Sequence, residues 1–152
     1  MKRSALMCLA ALLTGCGESG PKDYVSIAGG GLVFNYRYSQ ATMLIIAKQV
    51  SPMPADGTLV AEFTLPGGAG IDRQTSKVMP GKLTYKLESS VLHGIRKGEP
   101  LKVLLTLQGP KGEVLDREET VFTSDTDQST LPSKPLVQPD KPNYVPQLEN
   151  LN

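Results

Sequence analysis

Few side chains in this chain are of a type that could do covalent or metal chemistry. There are two cysteines, Cys8 and Cys16, and one histidine, His93. A thiolate can attack or bind a metal, and an imidazole can move a proton or ligate. Both need partners. No serine or cysteine stands in a recognisable nucleophile motif, and a lone nucleophile without a paired base is inert. There is no His-x-x-His, no cysteine cluster and no aspartate-rich calcium loop. His93 lies in a polar loop and reads as a solvated residue. Met43, Met53 and Met79 with His93 are what a soft copper site would draw on, but such a site needs three or four converging ligands. Met43 sits in an apolar run, where packing accounts for it. Asp56 and Asp72 stand in glycine-rich stretches and read as turn formers. The chain is therefore read as neither an enzyme nor a holder of any cofactor.

The surroundings of the cysteines carry more information. Met1-Lys2-Arg3 is short and positive, Ser4 to Leu13 is an uncharged, largely apolar run, and Thr14-Gly15 are small. That is the anatomy of a secretory signal peptide. The run is too short for a lasting transmembrane helix, which needs roughly 20 apolar residues. Leu13-Thr14-Gly15-Cys16 resembles the lipobox of bacterial lipoproteins. The resemblance implies diacylglycerol on the Cys16 thiol, cleavage before Cys16 and, in most cases, acylation of the new amino group. Several acyl chains anchor stably where one does not. Cys8 would leave with residues 1–15, so the mature chain would have neither a free thiol nor a disulfide. Gly17 rather than Asp follows Cys16, which in enteric-type cells favours the periplasmic face of the outer membrane. In a single-membrane organism the same anchor places the protein on the outer face.

Removing residues 1–15 takes away two basic residues and leaves a formal charge of about −1. That is no electrostatic footprint for nucleic acid. The remaining length suits one domain with extensions. Residues 16–23 are polar and rich in glycine, with Pro21 among them, and read as a lipidated flexible tether. The seven residues Gly17 to Asp23 span at most roughly 23 Å.

From residue 24 to 123 a period of two takes over. Phe34, Tyr36 and Tyr38 share a face. So do Leu59, Ala61, Phe63 and Leu65; Leu83, Tyr85 and Leu87; and Leu101, Val103, Leu105 and Leu107. Such alternation marks half-buried antiparallel strands. Gly109-Pro110-Lys111-Gly112 reads as a hairpin loop, with Gly112 free to take positive φ. Six to eight short strands predict a β-sandwich. Leu32 to Lys48 fits either a hairpin turning at Ser39-Gln40 or one long strand with a bulge. Leu83 to Val121, through Leu92-His93-Gly94-Ile95-Arg96-Lys97-Gly98-Glu99-Pro100-Leu101-Lys102-Val103, resembles the last three strands of immunoglobulin-like and fibronectin type III-like domains. Leu101 stands where those families often place a corner tyrosine, and their Cys–Trp–Cys core is absent. The resemblance implies an all-β chain with a single immunoglobulin-like antiparallel sandwich.

Lys82, Lys86, Arg96, Lys97 and Lys102 could form one basic face, or a solvated strand face. Met43-Leu44-Ile45-Ile46 is apolar on both sides. Leu44 and Ile46 either form a patch for a partner or lie under a long loop, Pro66–Pro80. Residues 124–152 have no strand or helix period and carry Pro132, Pro135, Pro139, Pro142 and Pro146. They read as a disordered proline-rich tail. Pro132-Ser-Lys-Pro135 and Pro139-Asp-Lys-Pro142 could dock in an aromatic-lined groove of an envelope partner, with Tyr144 as apolar anchor. A passive tail is the alternative. The leading function is a non-catalytic binding or assembly module, lipid-anchored in the cell envelope. A small-ligand or copper carrier comes second.

Overall fold

The computed structural model describes residues 23–137. Seven strands run through them: β1 (Val25–Asn35), β2 (Gln40–Gln49), β3 (Thr58–Thr64), β4 (Ile71–Lys77), β5 (Thr84–Glu88), β6 (Pro100–Gln108) and β7 (Val114–Thr123). They pair antiparallel into two sheets, ordered β1-β2-β5 and β4-β3-β6-β7. The chain is an immunoglobulin-like β-sandwich. β4 hydrogen-bonds to β3, whereas the constant-type immunoglobulin arrangement puts the fourth strand beside the fifth. No helix among the described residues is long and apolar enough to cross a membrane.

Alternation is what makes the two layers. Each strand turns every second side chain to one face, and the faces that carry large apolar groups meet. Ala41, Met43, Ile45 and Ala47 of β2 are fully buried against Leu59, Ala61 and Phe63 of β3 and Leu101, Val103, Leu105 and Leu107 of β6. Tyr85 and Leu87 of β5 join them, but Leu83 does not. It precedes β5 and is 62% exposed.

Three local readings resolve against the structure. Leu32 to Lys48 is a hairpin that turns over residues 36–39, so Tyr36 leaves the face of Phe34 and is exposed. A bulge does occur, but in β1 at Ala28, between the pairs of Ile27 and Gly29. Pro66–Pro80 is not a loop over Leu44 and Ile46, because it contains β4. That strand, Ile71-Asp-Arg-Gln-Thr-Ser-Lys, lies at a sheet edge with no fully buried residue, so it has no apolar face for the sequence to display. The hairpin at Gly109–Gly112 forms as expected. Gly109 N–H donates to Glu113 O, Gly112 N–H donates to Gly109 O, and Gly112 has φ +83°.

An aspartate ties the sheets together along each open side. Asp116 Oδ2 on β7 accepts from the Tyr24 and Val25 N–H groups at 2.7 and 2.9 Å. Asp72 Oδ2 on β4 accepts from the Ser90 N–H at 2.6 Å, and its other oxygen lies 3.2 Å from the Ser90 hydroxyl. Partial desolvation opposes ionisation of Asp72. The Ser90 and Gln74 donors outweigh it and hold the carboxyl below its ordinary value. Glycine matters once on the β1 side. A Cβ on Gly30 would run into the Leu44 carbonyl oxygen and lie 2.9 Å from Phe122 Cζ, so glycine there lets β7 close over β1.

The connections sort into two ends. At the entry end lie Tyr24, residues 50–57, residues 78–83 and the turn at 109–113. At the exit end lie the β1–β2 turn, residues 65–70, residues 89–99 and the chain beyond Thr123. β1 has 11 residues, so the ends stand roughly 33 Å apart along it.

Candidate partner-binding end

The domain does not stop at Thr123. The expectation of an unstructured tail from Ser124 is corrected for residues 124–137, which pack on the exit end as a strap. The cause is hydrogen bonding that hydropathy does not reveal. Ser124 is 4% exposed, and its carbonyl accepts the Gly98 N–H at 2.8 Å. The Ser124 hydroxyl accepts the Thr126 N–H at 3.1 Å and turns the chain. Asp127 Oδ1 then accepts the Lys97 N–H at 3.3 Å.

Gln128 fixes the strap to residues 92–95. Its N–H donates to Ile95 O at 2.9 Å, its Oε1 accepts the Ile95 N–H at 3.1 Å, and its Nε2 donates to Leu92 O at 2.7 Å. Leu92 and Ile95 are both buried, so these loop groups have no easy recourse to water. Residues 128–130 form one 3-10 turn, and Leu131 packs on the core.

The strap then crosses to the β1–β2 turn. The Ser39 hydroxyl donates to Pro132 O, from a backbone at φ +51°. The Leu136 and Val137 N–H groups both reach Arg37 O, at 2.8 and 3.2 Å, and Val137 is buried. Ser133, Lys134 and Pro135 remain exposed between these two attachments. The first Pro-x-x-Pro unit is thus divided. Pro132 is half-buried against its own domain, while Lys134 and Pro135 form a short loop pinned to the β1–β2 turn. Such a loop has part of its ordering entropy removed in advance, which lowers the cost of docking.

The remaining residues singled out from the sequence do not converge. Pro139, Pro142 and Tyr144 lie outside the described residues, as do Cys16 and the tether through residue 22. His93 is exposed at the exit end; Met53 and Met79 belong to entry-end loops, and Met43 is inside the core. The structure does not bring these four together as copper ligands. Among the described residues no group of three or more His, Cys, Asp or Glu could hold a metal ion. The five basic residues share no face either. Lys86 pairs with Glu88 at 2.6 Å on one outer sheet face, and Lys102 with Glu119 at 3.0 Å on the other. Lys82 is at the entry end, and Arg96 and Lys97 are at the exit end.

Sequence reasoning missed Gln128, Asp116 and Ser39. Each acts on backbone groups far away in the chain, and no local pattern signals that. The one available hint was Ser124-Asp-Thr-Asp-Gln, a run able to cap and turn backbone, directly after the last strand.

No family model matches the chain, and no curated protein matches it. The solved structure of wild-type OgpA from Akkermansia muciniphila is similar at 15% identity and a TM-score of 0.42, over 72% of this chain. The chain spans 31% of the length of that structure.

Proposed function

We propose that the protein is a lipid-anchored cell-envelope protein that acts as a non-catalytic binding or assembly module, with the exit end as its working surface. The observation that carries this reading is the placement of the two termini of the sandwich. The segment following Leu13-Thr14-Gly15-Cys16 enters at one end, and the strap with its exposed Lys134-Pro135 loop leaves at the other. A short tether to a bilayer at the entry end would hold the domain close to the membrane and turn the exit end away from it. The strap is preordered and polar, which suits a docking element.

The anchor is tested by intact mass and fractionation. The wild-type protein is expected in the membrane fraction, with a mass that includes acyl chains on a chain beginning at Cys16. Cys16→Ser is expected to move to the soluble envelope fraction or to stall uncleaved. Normal fractionation of the variant at mature size would reject the anchoring.

A further inference from the structure

The entry end exposes large apolar side chains that the sandwich does not need exposed. Val50, Met79 and Leu83 are 55%, 55% and 62% accessible. They are neighbours by hydrogen bonding: Gln49 N–H donates to Leu83 O at 2.8 Å, which sets Leu83 beside the end of β2 and Val50. The loop that carries Met79 is clamped. The Tyr85 hydroxyl accepts the Met79 N–H at 3.0 Å and lies 3.3 Å from Met79 O, and Lys82 Nζ stands 4.8 Å from the Tyr85 ring centre. Met79 and Leu83 are therefore presented from a fixed loop.

The exposed lysines at this end are matched in number by the described carboxylates Asp23, Asp56, Glu113 and Asp116. Lys48, Lys77, Lys82 and Lys111 are exposed. Two of the local carboxylates are turned to the protein itself. Asp116 holds the Tyr24 and Val25 N–H groups, and Glu113 Oε2 accepts the Lys111 N–H at 3.0 Å. Asp23 and Asp56 are the other described carboxylates here.

The proposed anchor at Cys16 would bring a bilayer to this surface. Tyr24 O accepts the Val50 and Ser51 N–H groups, so the N-terminal segment emerges directly beside Val50. The geometry points to a phospholipid surface as the occupant: Val50, Met79 and Leu83 enter the headgroup–acyl boundary, and Lys48 and Lys82 reach lipid phosphates. Lysine stems lie along apolar surface while the ammonium stays in the polar layer, and interfacial binding combines apolar insertion with attraction to anionic lipid. This inference rests on the proposed anchoring. It adds that the domain stands on the bilayer on its entry end in one orientation rather than swinging on its tether.

The test separates the two claims. The mature chain, residues 16–152, is coupled through its single thiol, Cys16, to a maleimide phospholipid in nanodiscs of phosphatidylcholine and phosphatidylglycerol. Attachment then does not depend on acylation in cells. A gadolinium chelate on the headgroups reports proximity by loss of methyl signals. The signals of Val50, Met79 and Leu83 are expected to disappear, while those of Val33 and Val121 near the exit end persist. In Met79→Glu/Leu83→Glu the lost Val50 signal is expected to return, with the dispersed core methyl spectrum unchanged. Equal loss at both ends, no loss at the entry end, or selective loss that survives the double substitution would each overturn the inference.

Discussion

Gln128→Ala tests whether residues 124–137 belong to the folded domain. The substitution removes an acceptor for the Ile95 N–H and a donor to Leu92 O, both beside buried side chains. A net hydrogen bond contributes about 0.5–1.5 kcal/mol, and a buried group left unpaired costs about 1–3 kcal/mol. Some water can reach the half-buried Gln128 site, so the low end applies to each bond, and the total should be about 2 kcal/mol. With an m-value of about 1–3 kcal/mol/M in urea, the unfolding midpoint should fall by roughly 1 M. Gln128→Glu keeps the acceptor for Ile95 but sets a carboxylate oxygen against the Leu92 carbonyl, so it too should fall below wild type. Urea titration followed by far-ultraviolet circular dichroism reads both variants. A Gln128→Ala midpoint indistinguishable from wild type would refute the strap as part of the cooperative unit.

Asp116→Ala should destabilise by about 1–3 kcal/mol, because two N–H groups at the start of β1 lose their acceptor; urea unfolding measures it. Gly30→Ala should cost about 1–3 kcal/mol through overpacking against Leu44 O and Phe122, and a thermal midpoint at or above wild type would contradict the close approach. Hydrogen bonds hold Asp72 below its ordinary value, and hydrogen bonds from Lys86 and then Thr42, with the Lys86 charge, do the same for Glu88 against slight desolvation. Both groups bind protons more readily unfolded, so their stabilisation is present above their ordinary values and is lost as pH falls through their lower folded values. Asp72→Asn with Glu88→Gln should therefore flatten the acid limb of a stability–pH curve and leave its shape near neutrality unchanged. His93→Ala should leave the unfolding midpoint within error, since His93 is exposed and in a loop.

The layers of this fold were legible because burial imposes a period of two on the central strands. β2, β3 and β6 place large apolar groups at alternate positions, and those groups are the core. β4 was invisible for the complementary reason. An edge strand with both faces partly wet can be written almost wholly in polar residues, as Ile71–Lys77 is. Leu83 misled because it keeps the parity of Tyr85 and Leu87 although β5 has not yet begun. The strap escaped notice because proline spacing and low hydropathy describe a segment unable to build its own core. They do not describe one that borrows a core through backbone hydrogen bonds, as Gln128 and Val137 do. The five lysines and arginines looked like a face because sequence order does not record which sheet or which end a residue joins.

Position-specific photo-crosslinking in intact cells tests whether the exit end binds a partner. A photoreactive residue replaces Lys134 in the exposed strap loop or, for comparison, Arg117 on an outer sheet face. A discrete crosslinked envelope protein is expected from position 134, absent from position 117 and lost when Cys16→Ser frees the chain from the membrane. Crosslinks of equal strength from both positions, or none from position 134 in an anchored and folded protein, would contradict binding there.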